Sequence, residues 1–285
     1  MTLWQAILLG LVQGVTEFLP ISSTAHLRIL PSWLGCNDPG AAFTAVTQLG
    51  TLAAVFLYFA RDIAAILQGM LRRNTPLQAV KGGGSAASPS PNAGVLGWMI
   101  GVGTIPIVVV GLLFKPYIEH QWRSLYVVAA AMIGLALVLA LAECSERRRA
   151  RLRDMNEIGW LDAVLIGCWQ AVALIPGSSR SGCTIAGGLF LGLKRDAAAR
   201  FSFLLSLPAV LAAGIFELNE LRHVNTVGWT NTLVATLAAF VAGYASIAFL
   251  LGYLRRHSTW LFILYRLALG ALLLAALAAG KLQPV

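Results

Sequence analysis

Two short polar stretches interrupt an otherwise apolar sequence. The first reads Gln13-Gly14-Val15-Thr16-Glu17-Phe18-Leu19-Pro20-Ile21-Ser22-Ser23-Thr24-Ala25-His26. Gln13 and Glu17 are four residues apart, so a helix puts them on one face. Glu17 is the only acid in the first 37 residues. A carboxylate within an apolar segment is expensive to keep there, and is by default a functional group. Its oxygens can hold a divalent cation, or it can act as a general acid or base. The plainer alternative is a structural carboxyl hydrogen-bonded between helices. Ser22, Ser23 and Thr24 follow a proline and precede a helix start, where at least one of them caps the helix. The same helix start can cradle an anion with its backbone N–H groups. A free hydroxyl there, Ser23 in particular, is a nucleophile if His26 or Glu17 serves as base, with His26 itself or a water activated by Glu17 or His26 as the alternative attacking group. His26, three residues past Ser23, is expected to face the same cavity.

The second stretch reads Pro176-Gly177-Ser178-Ser179-Arg180-Ser181-Gly182. Its glycines permit tight curvature and its serines supply donors. The Arg180 guanidinium is a planar fork matched to phosphate oxygens. An unpaired arginine in a short apolar segment is unfavourable, so pairing with Glu17 is the alternative, and one guanidinium can serve both carboxylate and ligand. Arg266, in the last apolar run, is read as a structural hydrogen-bonder, with a second anion contact as the alternative. Pooled, these residues offer a carboxylate, an imidazole, hydroxyls, a guanidinium and two helix starts. That set suits phosphoryl transfer, in which positioning and charge stabilisation do most of the work. It lacks a cysteine nucleophile and the histidine cluster of a transition-metal site.

The elements that must hold these groups are membrane helices. Of 285 residues, 58% are hydrophobic and only 12% charged, against about 25% charged in soluble domains. A net charge of +9 fits loops facing an anionic leaflet better than nucleic acid. No cleavable signal peptide is expected. The four cysteines, Cys36, Cys144, Cys168 and Cys183, form no close pair, and neither a disulfide nor a zinc site is expected. Runs at 43–59, 93–113, 124–142, 201–217, 229–250 and 260–280 are long enough to cross. The runs at 4–19, 160–176 and 183–193 are short, and the segments that contain them, 4–34 and 160–193, are broken at Pro20–His26 and Pro176–Gly182. Residues 82–94 are expected to form a flexible linker, and Glu146–Arg153 a solvated loop.

The halves match. Ala6 to Gln13 aligns with Ala163 to Gln170 at an offset of 157 residues, Pro20-Ile21-Ser22-Ser23 aligns with Pro176-Gly177-Ser178-Ser179 after a slip of one, and Phe43 and Phe201 each lead a span. Repeat 1 covers about 1–115 and repeat 2 about 158–280 of a single membrane domain. If the two broken segments enter from opposite faces, fourteen basic residues, among them Arg61, Arg147, Arg195 and Arg255, lie on the cytoplasmic side, and five, among them Arg28 and Lys115, lie outside. That satisfies the positive-inside rule and makes the repeat inverted, with both polar breaks meeting near the midplane.

These motifs resemble the undecaprenyl-pyrophosphate phosphatase family of bacteria, also called bacitracin-resistance proteins. Supporting stretches are Gln48-Leu49-Gly50, Phe201 to Pro208 and Tyr265-Arg266, and the likeness spans essentially the whole chain. The resemblance implies hydrolysis of undecaprenyl pyrophosphate to undecaprenyl phosphate and inorganic phosphate, recycling the lipid carrier of peptidoglycan synthesis and conferring bacitracin resistance. It implies an all-α polytopic fold of six transmembrane helices plus two re-entrant helix pairs in an inverted-topology repeat. It also implies a homodimer, a bacterial inner-membrane location and a site opening to the periplasm. Glu17, His26, Ser23 and Arg180 fall on the family's catalytic positions, and Gln13, Ser22, Thr24, Gly177, Ser178, Ser179, Ser181 and Gly182 on the substrate-binding stretches. Family members use Mg2+ or Ca2+, for which Glu17 is the expected ligand. The chain departs from the pattern at Gln13, where many members have Glu, at Ala25, where Gly is common, and at Ser178, where a bulkier residue is frequent. Gln13 removes one possible metal-binding carboxylate. A transporter or flippase of a polyprenyl phosphate is the alternative reading, because broken helices in inverted repeats are also the layout of alternating access.

Overall fold

A computed structural model describes residues 1–33, 40–71, 93–119, 122, 124–223, 228–280 and 282. They form α1 (Leu3–Phe18), α2 (Ser23–Trp33), α3 (Gly40–Tyr58), α4 (Ala60–Leu71), α5 (Ala93–Leu113), α6 (Lys115–Glu119), α7 (Leu125–Arg147), α8 (Trp160–Val172), α9 (Arg180–Phe190), α10 (Arg195–His223), α11 (Trp229–Leu254) and α12 (Trp260–Ala278). A 3-10 turn at Met155–Glu157 and an isolated bridge between Arg153 and Leu193 join α7 to the second half. The chain is an all-α, multi-pass membrane protein. Five helices (α5, α7, α10, α11, α12) are long and apolar enough to cross a bilayer. The bent pair Phe43–Tyr58 and Ala60–Leu71 makes a sixth span if counted as one.

That pair departs from expectation. The run at 43–59 is followed by a further amphipathic helix, α4, turned by 77°. Its Ile66 and Gly69 are buried, and Gly69 lies against Ala93 and Gly94 of α5. Ala93 and Gly94, read from the sequence as the end of the linker, are therefore the buried first turn of α5. The rest of that linker lies outside the described residues.

Both broken segments are helix–break–helix. α1 ends at Phe18 and α2 starts at Ser23, while α8 ends at Val172 and α9 starts at Arg180. The starts of all four helices correspond at a constant 157 residues, so the slip at the proline is not needed. The structural counterparts are Ser22 and Ser179, not Ser22 and Ser178. Ser22 (φ 74°) and Ser179 (φ 68°) are the only non-glycine residues with positive φ among those described. Each hydroxyl accepts the N–H three residues on, Ala25 at 3.4 Å and Gly182 at 3.2 Å, the usual N-cap bond. Left-handed serines are strained and persist where the surroundings over-determine them. The first break is also shorter than expected: Ser23, Thr24 and His26 lie in the first turns of α2.

Helix pairing exchanges between the halves. α1 packs on α11 as α8 packs on α5, α3 packs on α11 as α10 packs on α5, and α3 meets α10 as α7 meets α12. The closest crossings use equivalent glycines. A Cβ on Gly10 would overlap the Ala235 carbonyl, and one on Gly167 the Gly103 carbonyl, the close approach that small residues permit in membrane helix pairs. One hydrophobic cluster, including Phe18, Ala54, Leu139, Ile166, Phe203 and Leu250, joins both halves.

Ion pairs gather at one end of the bundle. Glu143 and Glu146, both buried, each meet Arg195 Nη2 at 2.6 Å. Glu143 also accepts the Thr259 hydroxyl at 2.8 Å, which ties the starts of α10 and α12 to α7. Arg200 meets Asp62 at 2.8 Å, and Arg153 meets Asp162 at 2.5 Å. The Asp162 hydrogen bonds raise the Arg153 pKa above the ordinary arginine value. Arg149 and Arg153 also donate to the Phe190 and Leu191 carbonyls at the end of α9, as cations at a helix C-terminus should. The stretch Glu146–Arg153 is therefore a structural strap rather than only a solvated loop.

Candidate active site

Glu17 stands on the last turn of α1, on the same face as Gln13. Its carboxylate gathers both breaks. Gln13 Nε2 donates to Oε2 at 2.9 Å, Ser23 Oγ donates to Oε2 at 2.8 Å, and Arg180 Nη2 pairs with Oε1. Ser23 and Arg180 are the first residues of α2 and α9. Two helix N-termini, each a site of positive potential, thus converge on one buried carboxylate. That carboxylate sits between the first side chains of the two helices, and Arg180 and Ser23 are the donors that a phosphate oxygen would take over.

The two breaks are pinned to each other. Ser181 Oγ donates to the Leu19 carbonyl at 3.1 Å. Arg266, fully buried on α12, donates to four backbone carbonyls. Two belong to α7, Met132 at 3.2 Å and Ala131 at 3.4 Å. The others belong to the breaks, Pro20 at 3.3 Å and Gly177 at 3.1 Å. The guanidinium supplies donors that the non-helical backbone cannot find in lipid. Gly177 needs its glycine: φ is 96°, and a Cβ would run into Val128 of α7. Of Arg266's two readings from sequence, the hydrogen-bonding one describes these contacts.

The other candidates take distinct places. Ser22 and Ser179 cap their helices. Ser178 is buried with no partner for its hydroxyl among the described residues. Gly182 donates its N–H to Ser179 and lies under the Arg266 guanidinium. Thr24 is exposed. His26 does not reach the Glu17 cluster: its ring bonds the Ser22 carbonyl and Tyr265 of α12. Beside Glu17 and Arg180 opens a small cleft lined also by Phe18, Ser181, Ser202, Phe203 and Ser206. Ser202 and Ser206 of α10 lie in the Phe201 to Pro208 stretch that supported the resemblance, but were given no role in the site from sequence. Their signal is the four-residue spacing of two serines in an apolar run, directed at one face. Among the described residues no group of three or more His, Cys, Asp or Glu side chains is placed to hold a metal. Cys144, Cys168 and Cys183 are free thiols, and Cys36 lies outside the described residues.

Fold and site together define a multi-pass membrane protein with a carboxylate–hydroxyl–guanidinium centre held between two broken helix pairs. A family model described as bacitracin resistance protein BacA matches residues 6–272, and the chain belongs to that family. It is 55% identical over 294 residues to an undecaprenyl-diphosphatase of Chlorobium chlorochromatii, covering the whole of both chains. It is 56% identical over 295 residues to one of Chlorobaculum tepidum, again along the full length of both.

Proposed function

We propose that this chain is an undecaprenyl-diphosphatase: it hydrolyses undecaprenyl diphosphate to undecaprenyl phosphate and inorganic phosphate. The observation that carries the assignment of the site is the convergence of Ser23 and Arg180, from opposite halves, on Glu17. The diphosphate enters with its isoprenyl chain left among the lipid-facing helices. Arg180 turns from Glu17 to the phosphate oxygens, and the N-termini of α2 and α9 share the charge. Glu17, already accepting the Ser23 hydroxyl hydrogen bond, takes that proton as Ser23 Oγ attacks the terminal phosphorus. The bond to phosphorus forms as the bridging P–O bond breaks, and undecaprenyl phosphate leaves. Water then cleaves the seryl phosphate and releases inorganic phosphate, with Glu17 again handling the proton.

A divalent cation, Mg2+ or Ca2+, fits this donor set. Gln13 Oε1 is buried beside Glu17 with no partner among the described residues, so Gln13 and Glu17 would hold it through oxygen, few protein ligands being usual for Mg2+ at phosphate sites. Bound there, it would neutralise charge on the phosphate oxygens. We read the halves as an inverted repeat, on the strength of the exchanged helix pairings and the positive-inside count. The end carrying Glu143, Arg153 and Arg195 then faces the cytoplasm of a bacterial inner membrane, and substrate enters from the periplasmic side.

Phosphate release from undecaprenyl diphosphate by the purified chain in detergent, with and without Mg2+, tests the reading, since transport of the lipid needs a sealed membrane. Ser23→Ala should lose about 100-fold or more in turnover. A wild-type chain that releases no phosphate would return the polyprenyl-phosphate transporter to first place, and an active Ser23→Ala enzyme would move the attack to water.

A further inference from the structure

The imidazole of His26 is fully engaged, and its hydrogen-bond partners fix its tautomer. Nδ1 lies 2.7 Å from the Ser22 carbonyl oxygen. A carbonyl only accepts, so Nδ1 carries the hydrogen. In the neutral ring Nε2 is then a bare acceptor, and its partner at 2.6 Å, the Tyr265 hydroxyl, must be the donor. The two rings are nearly parallel, 6° apart with centroids at 5.7 Å, so packing and hydrogen bond hold the same geometry. His26 therefore has no lone pair free for Ser23, although it lies only one turn beyond it on α2. Tyr265 neighbours Arg266, whose guanidinium holds both breaks. Its ring is partly exposed, so the hydroxyl is not locked inside the protein.

We propose that Tyr265 is a phosphate-binding residue of this site, held in readiness on His26: when the diphosphate binds, a phosphate oxygen takes the Tyr265 hydroxyl as its donor and His26 Nε2 is freed as an acceptor. This rests on the phosphatase reading above. The exchange moves one hydrogen bond from a nitrogen lone pair to an anionic oxygen, a stronger acceptor. No proton is transferred in that step. Its result is an imidazole whose Nε2 lone pair is free only when substrate is present. The adjacent Tyr265 and Arg266 thus divide the work, one binding substrate and the other holding the backbone that receives it.

The test uses the full chain in detergent and two readouts. The first is carbethoxylation of His26 by diethyl pyrocarbonate, followed by mass spectrometry. Tyr265→Phe keeps the ring and removes the donor, and should raise the labelling rate of His26 roughly threefold to tenfold, the factor a net hydrogen bond represents. Tyr265→Leu should do at least as much. His257, stacked on Tyr253, should label at the wild-type rate in both and so reports an intact fold. The second readout is phosphate release, where kcat/KM of Tyr265→Phe should fall about tenfold, in line with one lost hydrogen bond to a charged group. Unchanged His26 labelling overturns the hydrogen bond. Faster labelling with kcat/KM within twofold of wild type overturns the substrate role. The labelling result stands whether or not the chain hydrolyses undecaprenyl diphosphate, so failure of that reading and of this one are separable.

Discussion

Replacing Glu17 by Gln leaves an amide oxygen for Ser23 and Gln13 but removes the charge that faces Arg180. The Glu17 side chain is 5% exposed and that of Arg180 21%. Losing one partner of a buried pair costs about 3–5 kcal/mol. Water reaching Arg180 screens part of this, which brings the expected loss to roughly 2–3 kcal/mol. In a chain of this size that is about 5–10 °C in Tm. Arg180→Met should destabilise for the same reason, by leaving the Glu17 charge with only the neutral donors Gln13 and Ser23. The double variant leaves neither charge unpaired, so the two losses should fall short of adding by about 1–2 kcal/mol, the coupling of contacting residues. Turnover of Glu17→Gln should fall about 10²–10⁴-fold, the usual effect of removing a base. Thermal unfolding and phosphate release, measured on the same detergent preparations, give both numbers. Strict additivity of the two destabilisations would refute the ion pair as a coupled unit, and turnover within threefold of wild type would refute Glu17 as the proton acceptor.

Two further outcomes follow from the packing. Arg266→Lys cannot serve four carbonyls spread over two breaks and α7, because an ammonium lacks the guanidinium's planar fork; turnover should drop about tenfold or more as the breaks lose register, and a fully active Lys variant would show that the fork is not needed. Gly167→Val drives a side chain into the Gly103 backbone and should destabilise by about 1–3 kcal/mol, whereas Gly101→Val, with open space around its Cβ, should leave Tm unchanged; equal Tm values for the two would contradict the α5–α8 crossing.

Much of this arrangement was legible in the residues. Hydropathy marked the runs that became α3, α5, α7, α10, α11 and α12, because a bilayer admits backbone only as long apolar helices. The expense of burying Glu17 and Arg180 singled them out, and the likeness of the halves implied that their segments meet. Local rules placed less well. The slip of one at the proline came from matching residue types, Pro20 with Pro176. The chain instead matches backbone roles, with Ser22 and Ser179 both as left-handed caps. α4 was missed because its apolar face is short and Arg61 and Asp62 punctuate it. Glu146 looked solvated among five arginines until α10 brought Arg195 to it.

By itself the amino-acid order determined that the chain lives in a membrane, that it is broken twice, and that the breaks carry the polar chemistry, since each of these is a cost paid or avoided within one segment. Which donor faces which acceptor was settled only by tertiary structure. Arg180 reaches Glu17 across 163 positions and Tyr265 reaches His26 across 239, while His26, three residues from Ser23, turns away from it. Separation along a chain sets who can share a helix face, but once both hairpins pack on α7 and α12, the hydrogen bonds that a lipid-buried backbone must complete decide the rest.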